Sequence, residues 1–411
     1  MTWPASNVNT TNVDASTDSP AVARTDILDL FTKFNLLIGH VSSFMQTLLT
    51  CSTAALARTD LGAAASGANA DITSLTSVTS IAGVTSINGG YVAANRNLLD
   101  NGDMRLSVRN GATAITPTAT AYTVDRFAAG ISQGSKLTFQ QVVDAPPGFK
   151  YSLKATVASQ YAPAATDQFI LGQGIEGNNT IQLGFGTASP SSVTVSLWVK
   201  GSVPGTYSCS LSNSAGTRTY IGTVTVTTSW ARQSIVFTGD TTGTWLTDNG
   251  CGLWFDIDLG CGTNYNGTAG TWTPGAVALG RRTSGSVIFV NQTAGATLQW
   301  TGVQLEAGTT PTVFETRNIG YESSRCQRYC QSVSYQWIQA GIAGNGFGGI
   351  SLFPVDMRAT PNIFSNTNLG TTNITGPGIA VSPFGITPQG IATASNISCV
   401  YVGTMIVSAD F

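Results

Sequence analysis

Charge is what this sequence has least of. Asp, Glu, Lys and Arg make up 10 % of its 411 residues, against about 25 % in an average globular chain. The formal net charge is −2 and no basic cluster appears, which argues against nucleic acid as a partner. His40 is the only histidine. A Ser-His-Asp or Cys-His centre, or a histidine-rich metal site, would therefore need a second chain. Long apolar runs are missing too: the tract from Asn35 to Leu49 is broken by His40, Ser42, Ser43 and Gln46, so no membrane insertion is expected. The opening MTWPASNVNT has no basic region followed by an apolar core, so it does not read as a signal peptide. Seven cysteines, an odd number at spacings that match no zinc pattern, read as reduced thiols made in a cytosol. Cys326 and Cys330 read as small buried side chains. Neither a Walker loop nor a dinucleotide fingerprint is present. GIAGNGFGG (341–349) precedes a strand and lacks the lysine that phosphate binding needs, so it reads as a loop. No cofactor and no metal are expected.

What fills the space is glycine, serine, threonine and asparagine, in short runs that alternate apolar with polar. TYSCSLS sets Tyr207, Cys209 and Leu211 against Ser208, Ser210 and Ser212, and GLWFDIDLG sets Leu253, Phe255, Ile257 and Leu259 against Trp254, Asp256 and Asp258. A period of two is that of a half-buried strand. Leu298 and Trp300 are out of phase with Val303 and Leu305, and Gly302 sits at the slip, which predicts a β-bulge. The class is mainly β, and residues 96–318 are expected to form an antiparallel sandwich.

Two segments ahead of it have other periods. Residues 1–18 are a polar arm. In 19–60, Ile27, Leu30, Phe34, Leu37, Val41, Phe44 and Leu48 fall at alternating steps of three and four, the seam of a coiled coil. Phe31 and Ile38 widen that stripe, which favours more than two chains. The alternative is one amphipathic helix lying on a globular domain. In 61–95, Ile72, Leu75, Val78, Ile81, Val84 and Ile87 recur every third residue, a step that suits three chains wound about one axis. Residues 319–411 read as a short helix, Tyr321 to Val333, followed by a β cap that needs partners to be stable.

Candidate chemistry is sparse. Asp256 and Asp258 are two apart on one strand face beside Trp254, which fits a glycosidase pair. The plainer reading is a solvent face, or an inter-subunit contact with the acids bonded to backbone or hydroxyls, and Glu306 is likewise structural. Sugar binding asks for less: an aromatic face to stack on a ring, and Asp, Asn or Thr for its hydroxyls. Trp245, Asp248, Asn249, Tyr265 and Trp272, in TWLTDNG and NYNGTAGTWTP, have that composition. Asn345, in the loop Gln339 to Gly349, joins them, and Asn366 to Gly378 is a second polar loop of the cap. For any one tryptophan, core packing is the competing explanation.

The period-three segment resembles bacteriophage tail-fibre shafts, and ARTDLGAAASGANADITSL (57–75) is similar to a sequence common in phage tail proteins. NLLDNGDMR, SPSSVTVSLWVKGSVPGTYS, GDTTGTWLTDNG and VQLEAGTTPTVFE resemble a recurrent virion module, similar to the jelly-roll sandwiches of carbohydrate-binding modules. FPVDMRATPNI is similar to a stretch near the carboxyl end of phage fibre proteins. The resemblance covers roughly 57–329. It implies a homotrimeric virion protein, a tail fibre synthesised in the host cytoplasm. The arm would attach to a tail or baseplate protein, and the β-domains would bind a host surface polysaccharide without cleaving it. A glycan-depolymerising tailspike and a purely structural tail component are the alternatives. By order along the chain, the cap is expected to meet the host first.

Overall fold

The computed structural model describes residues 27–37, 86–87, 90–91, 95–274, 280–395 and 398–411. Two units follow one another, 1–84 and 85–411. In the first, 27–37 is helical, with Lys33 and Asp29 paired at 3.0 Å one turn apart. Ile27, Leu30, Phe34 and Leu37 of the seam are all exposed in this single chain. Val41, Phe44 and Leu48, and the period-three residues other than Ile87, lie outside the described residues.

The second unit opens with a hairpin of β1 (Ser86–Ile87) and β2 (Gly90–Tyr91). Twelve strands then build two facing antiparallel sheets. β3 (Ala121–Val124), β4 (Phe127–Ile131), β7 (Phe169–Glu176), β9 (Gly205–Ser212), β10 (Arg218–Val226), β12 (Cys251–Asp258) and β13 (Trp272–Pro274) form one, in the order β13-β10-β9-β12-β7-β4-β3. β5 (Leu137–Val142), β6 (Ser152–Val157), β8 (Val193–Gly201), β11 (Ala231–Phe237) and β14 (Thr297–Ala307) form the other, in the order β11-β8-β14-β6-β5. The period-two residues meet between them: Tyr207, Cys209, Leu211, Leu253, Phe255 and Ile257 from one sheet, Val195, Leu197, Trp300 and Leu305 from the other, all buried.

The phase slip is a bulge. Register on β14 shifts between Thr301 and Gln304, and Gly302 takes φ 59° there. A Cβ at Gly302 would come within 2.6 Å of the Phe149 ring, so glycine is required twice over. The carbonyl freed at Val303 accepts from the Asn97 side chain (3.0 Å), whose oxygen accepts from the amides of Leu99 (3.1 Å) and Leu305 (3.0 Å). Glu315 accepts from the Asn97 amide at 2.8 Å. NLLDNGDMR and VQLEAGTTPTVFE, about two hundred residues apart, are thus one bonded unit.

One helix is shorter than expected. It spans Ile319–Gln327, and Cys330 already begins β15 (Cys330–Ala340). The correction has a simple cause: Val333, Tyr335 and Trp337 alternate inward with exposed Ser332, Ser334 and Gln336, and that period of two overrides further helix. The six cysteines among the described residues are buried and unbridged.

β15 pairs with β21 (Ser398–Ser408), which pairs with β18 (Asn362–Thr372). A second small sheet joins β16 (Gly346–Gly348), β17 (Ser351–Leu352), β19 (Ile374–Ser382) and β20 (Gly385–Ala392). Val333, Tyr335, Phe353, Ile386, Tyr401 and Met405 are among the residues that pack between the two.

The small sheets are anchored to the sandwich by ion pairs, most of them buried. Arg126, in the β3–β4 turn, meets Asp100 at 3.2 Å and Asp410 at 3.1 Å, and its guanidinium lies 3.3 Å from the centre of the Tyr329 ring. Arg325 of the helix reaches Asp100 at 2.6 Å, and Arg328 grips both oxygens of Glu176 (2.6 and 2.9 Å). Arg109 also binds Asp410, and the Phe411 ring lies against Trp254 and Tyr329.

Candidate functional site

The loop between β11 and β12 carries three candidate residues, Trp245, Asp248 and Asn249, and an aspartate shapes it. Asp240 accepts from Arg218 (2.6 and 2.8 Å) and from the Thr242 amide (3.1 Å). The chain turns through Gly243 (φ 83°), and Trp245 folds back onto the edge of the sandwich. Its indole donates to the Thr242 carbonyl (3.0 Å) and stands edge-on to Phe185 (4.9 Å) and Trp272 (5.3 Å). Trp272 donates to the Thr238 carbonyl (2.6 Å) and stands on Tyr220 (5.4 Å). Both tryptophans are half-buried against the core. Core packing, the competing explanation for them, holds for one side of each ring.

Trp245 also faces a pocket of ≈ 260 Å³, counting the space open to solvent, lined by Thr180, Ile181, Phe185, Leu246, Thr247 and Leu253. Ile181 (58 %) and Leu246 (37 %) are exposed at it. Its walls are apolar and aromatic, with threonines between them. Asp248 follows directly on the loop. One of its oxygens accepts from the Gly250 amide (2.8 Å), and its backbone carbonyl accepts from Asn178 (2.9 Å).

The other candidates go elsewhere. Asn249 donates to the Arg358 carbonyl (2.8 Å) and accepts at its own carbonyl from the Arg358 guanidinium (3.1 Å), so it fastens the loop to the small sheets. Tyr265 is buried with Ile170 and Cys261, its hydroxyl 3.4 Å from Thr166 and Gln168, and burial raises its pKa. Asn345 is exposed at the end of the small sheets away from the sandwich, where its carbonyl accepts from Ala392 (3.0 Å). Phe185 and Ile181 were missed. Phe185 stands between two glycines with positive φ, and nothing in IEGNNTIQLGFG signals that it turns toward Trp245.

The paired acids line no open cleft. Asp256 and Asp258 are 2 % and 1 % exposed, on the outer face of the seven-stranded sheet beneath the segment that follows β12. Arg281 pairs with Asp256, and Arg282 with Asp258 at 3.2 Å. The same segment covers Ser208, which bonds Ser286 at 2.6 Å, and Ser210 and Ser212 are buried as well. The expectation of half-buried strands fails here, because the polar face has its own cover. Trp254 packs on Phe411 (6.0 Å) rather than standing free beside the acids. Glu306 is structural, accepting from the amide (2.8 Å) and hydroxyl (2.6 Å) of Thr312. Among the described residues no group of acids, cysteines or histidines could hold a metal ion.

Burial pushes Asp258 from its ordinary 3.8 up to about 6. The folded chain therefore holds a proton that the unfolded chain releases. The resulting stabilisation is full below about pH 4 and lost as pH rises through about 6. Asp258→Asn should flatten that part of the stability profile, read as denaturant midpoints from pH 4 to 7. An unchanged slope would mean that Arg282 keeps the acid ionised throughout.

No family model matches the chain, and no curated protein matches it either. Solved structures similar to it include the CBM22-1 xylan-binding domain of Paenibacillus barcinonensis (12 % identity, 53 % of this chain, 100 % of that one, TM-score 0.27). A CBM61 module in complex with β-1,4-galactotriose is another (11 %, 52 % of this chain, 99 % of that one, 0.25). The enzymatically active domain of tailspike protein 4 of bacteriophage CBA120 is a third (10 %, 51 % of this chain, 21 % of that one, 0.26). At such TM-scores the likeness carries no argument about ligand or activity.

Proposed function

We propose that this chain is a bacteriophage tail-fibre protein that attaches the virion to a glycan on the host surface, by binding and not by cleavage. The observation that carries the glycan reading is the pocket beside Trp245. Its aromatic and aliphatic walls suit the apolar face of a sugar ring, Thr180 and Thr247 line it as hydroxyl partners, and Asp248 follows Thr247 along the chain. The virion reading is supported by the sequence motifs of the module, the seam and the period-three segment. On that reading the chain is a homotrimer in the virion tail, anchored through its amino-terminal arm. Three weak pockets per fibre then act by avidity, with no tight single contact.

The test uses the whole chain on immobilised host polysaccharide. Trp245→Ala should weaken binding about thirtyfold, the ~2 kcal/mol of an anchoring aromatic. Because Trp245 also packs inward, Ile181→Trp serves as a partner variant that fills the pocket from an exposed position. Full binding by Ile181→Trp would move the site to the far end of the small sheets, where Asn345 lies. New reducing ends on incubation would establish cleavage, and absence of any host binding would leave a structural tail component.

A further inference from the structure

From Ala359 to Ala409 the chain carries no charged residue and no histidine. That stretch supplies β18, β19, β20 and β21, and so two of the three strands in the β15-β21-β18 sheet. One face of this sheet is covered: Tyr335, Tyr401, Met405 and Val407 pack against the second small sheet. No further sheet covers the other face among the described residues; Arg109 of the sandwich reaches only one end of it, donating to Ser408 (2.8 Å) and lying 5.4 Å from the centre of the Phe364 ring. Register sets Ile338 beside Val400, Gln336 beside Val402 and Ser332 beside Ile406. β21 is flanked on both sides, yet Val400, Val402 and Ile406 remain only half-buried and Ile338 is 58 % exposed. An apolar row along the central strand of a sheet normally lies under a further layer.

The edge strand adds to this. β18 slips register twice, between Ile363 and Ser365 and between Asn368 and Gly370. The residue left out of register at each bulge is large and apolar: Phe364 is 57 % and Leu369 is 64 % exposed. Bulges spoil an edge for strand addition while re-aiming a side chain. The missing layer therefore packs through side chains and does not extend the sheet.

We propose that this face is an interface between copies of this chain. The inference rests on the homotrimer reading above and assigns it a second contact surface. Two observations choose a copy as the occupant. Side chains beside a shared symmetry axis meet their own copies, so charges there would repel, and β15, β18 and β21 carry no charged residue. The helix over 27–37 also leaves Ile27, Leu30, Phe34 and Leu37 open at the spacing by which helices pack on copies of themselves. Chains joined there hold their small sheets at high effective concentration.

Three full-length variants separate the two surfaces: Phe34→Asp in the helix, Val402→Asp in the sheet, and both together. Mass in solution is read by sedimentation. The parent and each single variant should remain oligomeric, and the double variant should be monomeric. A monomeric Phe34→Asp would overturn the sheet interface while leaving the helix seam in place. A monomeric Val402→Asp with an oligomeric Phe34→Asp would retain the sheet interface and discard the seam. A monomeric parent, or an oligomeric double variant, would overturn the proposal. Should Val402→Asp fail to fold, Phe364→Ser with Leu369→Ser, both exposed, replaces it. Independently, a Thr404→Cys thiol on the same face should react with maleimide at least about tenfold more slowly in the parent than with those two serines present. Equal rates would show the face to be open.

Discussion

Arg126→Met is expected to destabilise the second unit by roughly 3–5 kcal/mol, the usual cost of removing one partner from a buried ion pair. Arg126 is about as deeply buried as any charged group here, and it serves two carboxylates, Asp100 and Asp410, together with the Gly174 carbonyl (2.5 Å). Burial by itself raises the Asp100 carboxyl, but Arg325, Arg126 and Arg317 together bring it below its ordinary value. Without Arg126, Asp100 keeps two arginines and Asp410 keeps Arg109, so the loss falls on desolvated groups with fewer partners. Urea unfolding followed by tryptophan fluorescence reads the effect. A change under about 1 kcal/mol would class the pair with exposed salt bridges and contradict its burial.

Asn97→Ala should do comparable harm from a single neutral side chain. The amide satisfies three buried backbone groups: the Val303 carbonyl and the amides of Leu99 and Leu305. Each group left bare costs about 1–3 kcal/mol, so a loss on the order of 3–5 kcal/mol is expected. Asn97→Asp refines the test. Its carboxylate still accepts from both amides but faces the Val303 carbonyl with an acceptor, so it should fall between the parent and Asn97→Ala. If both variants unfold at the parent midpoint, water has replaced the side chain and the bulge does not depend on it.

Local pattern revealed much of the sandwich. Tyr207, Cys209, Leu211, Leu253, Phe255 and Ile257 declare the buried face by their spacing, and Gly302 marks the bulge by a slip of one residue. Such signals are legible because a strand's two faces are written into alternate positions. The cover over Ser208 was not legible, since it comes from Thr283 and Ser286, in a segment well over seventy residues later that has no period. The arginine–carboxylate junction was hidden for the same reason: Asp100 and Arg325 look like ordinary surface charges until the fold joins them. At the candidate site, composition picked out Trp245 and Trp272, whose rings meet at 5.3 Å, and Asp248 on the same loop as Trp245. Asn249 and Tyr265 have the same composition but spend their polar groups on Arg358 and Thr166, a distinction that only tertiary contacts make.

The bonds between Arg109 and Asp410 and between Arg126 and Asp410 also set a clock. Their partners are about three hundred residues apart, and ribosomes add roughly 5–20 residues per second. The sandwich edge formed by 97–126 must therefore wait about 15–60 s during synthesis for the segment that seals it. Through that interval Tyr122, Arg126 and the outer end of β7 stand uncovered, and non-local closure of this kind is intrinsically slow even once the whole segment has emerged. A nascent chain stalled before Asp410 should bind chaperones and be cleaved by proteases at sites that the finished protein conceals.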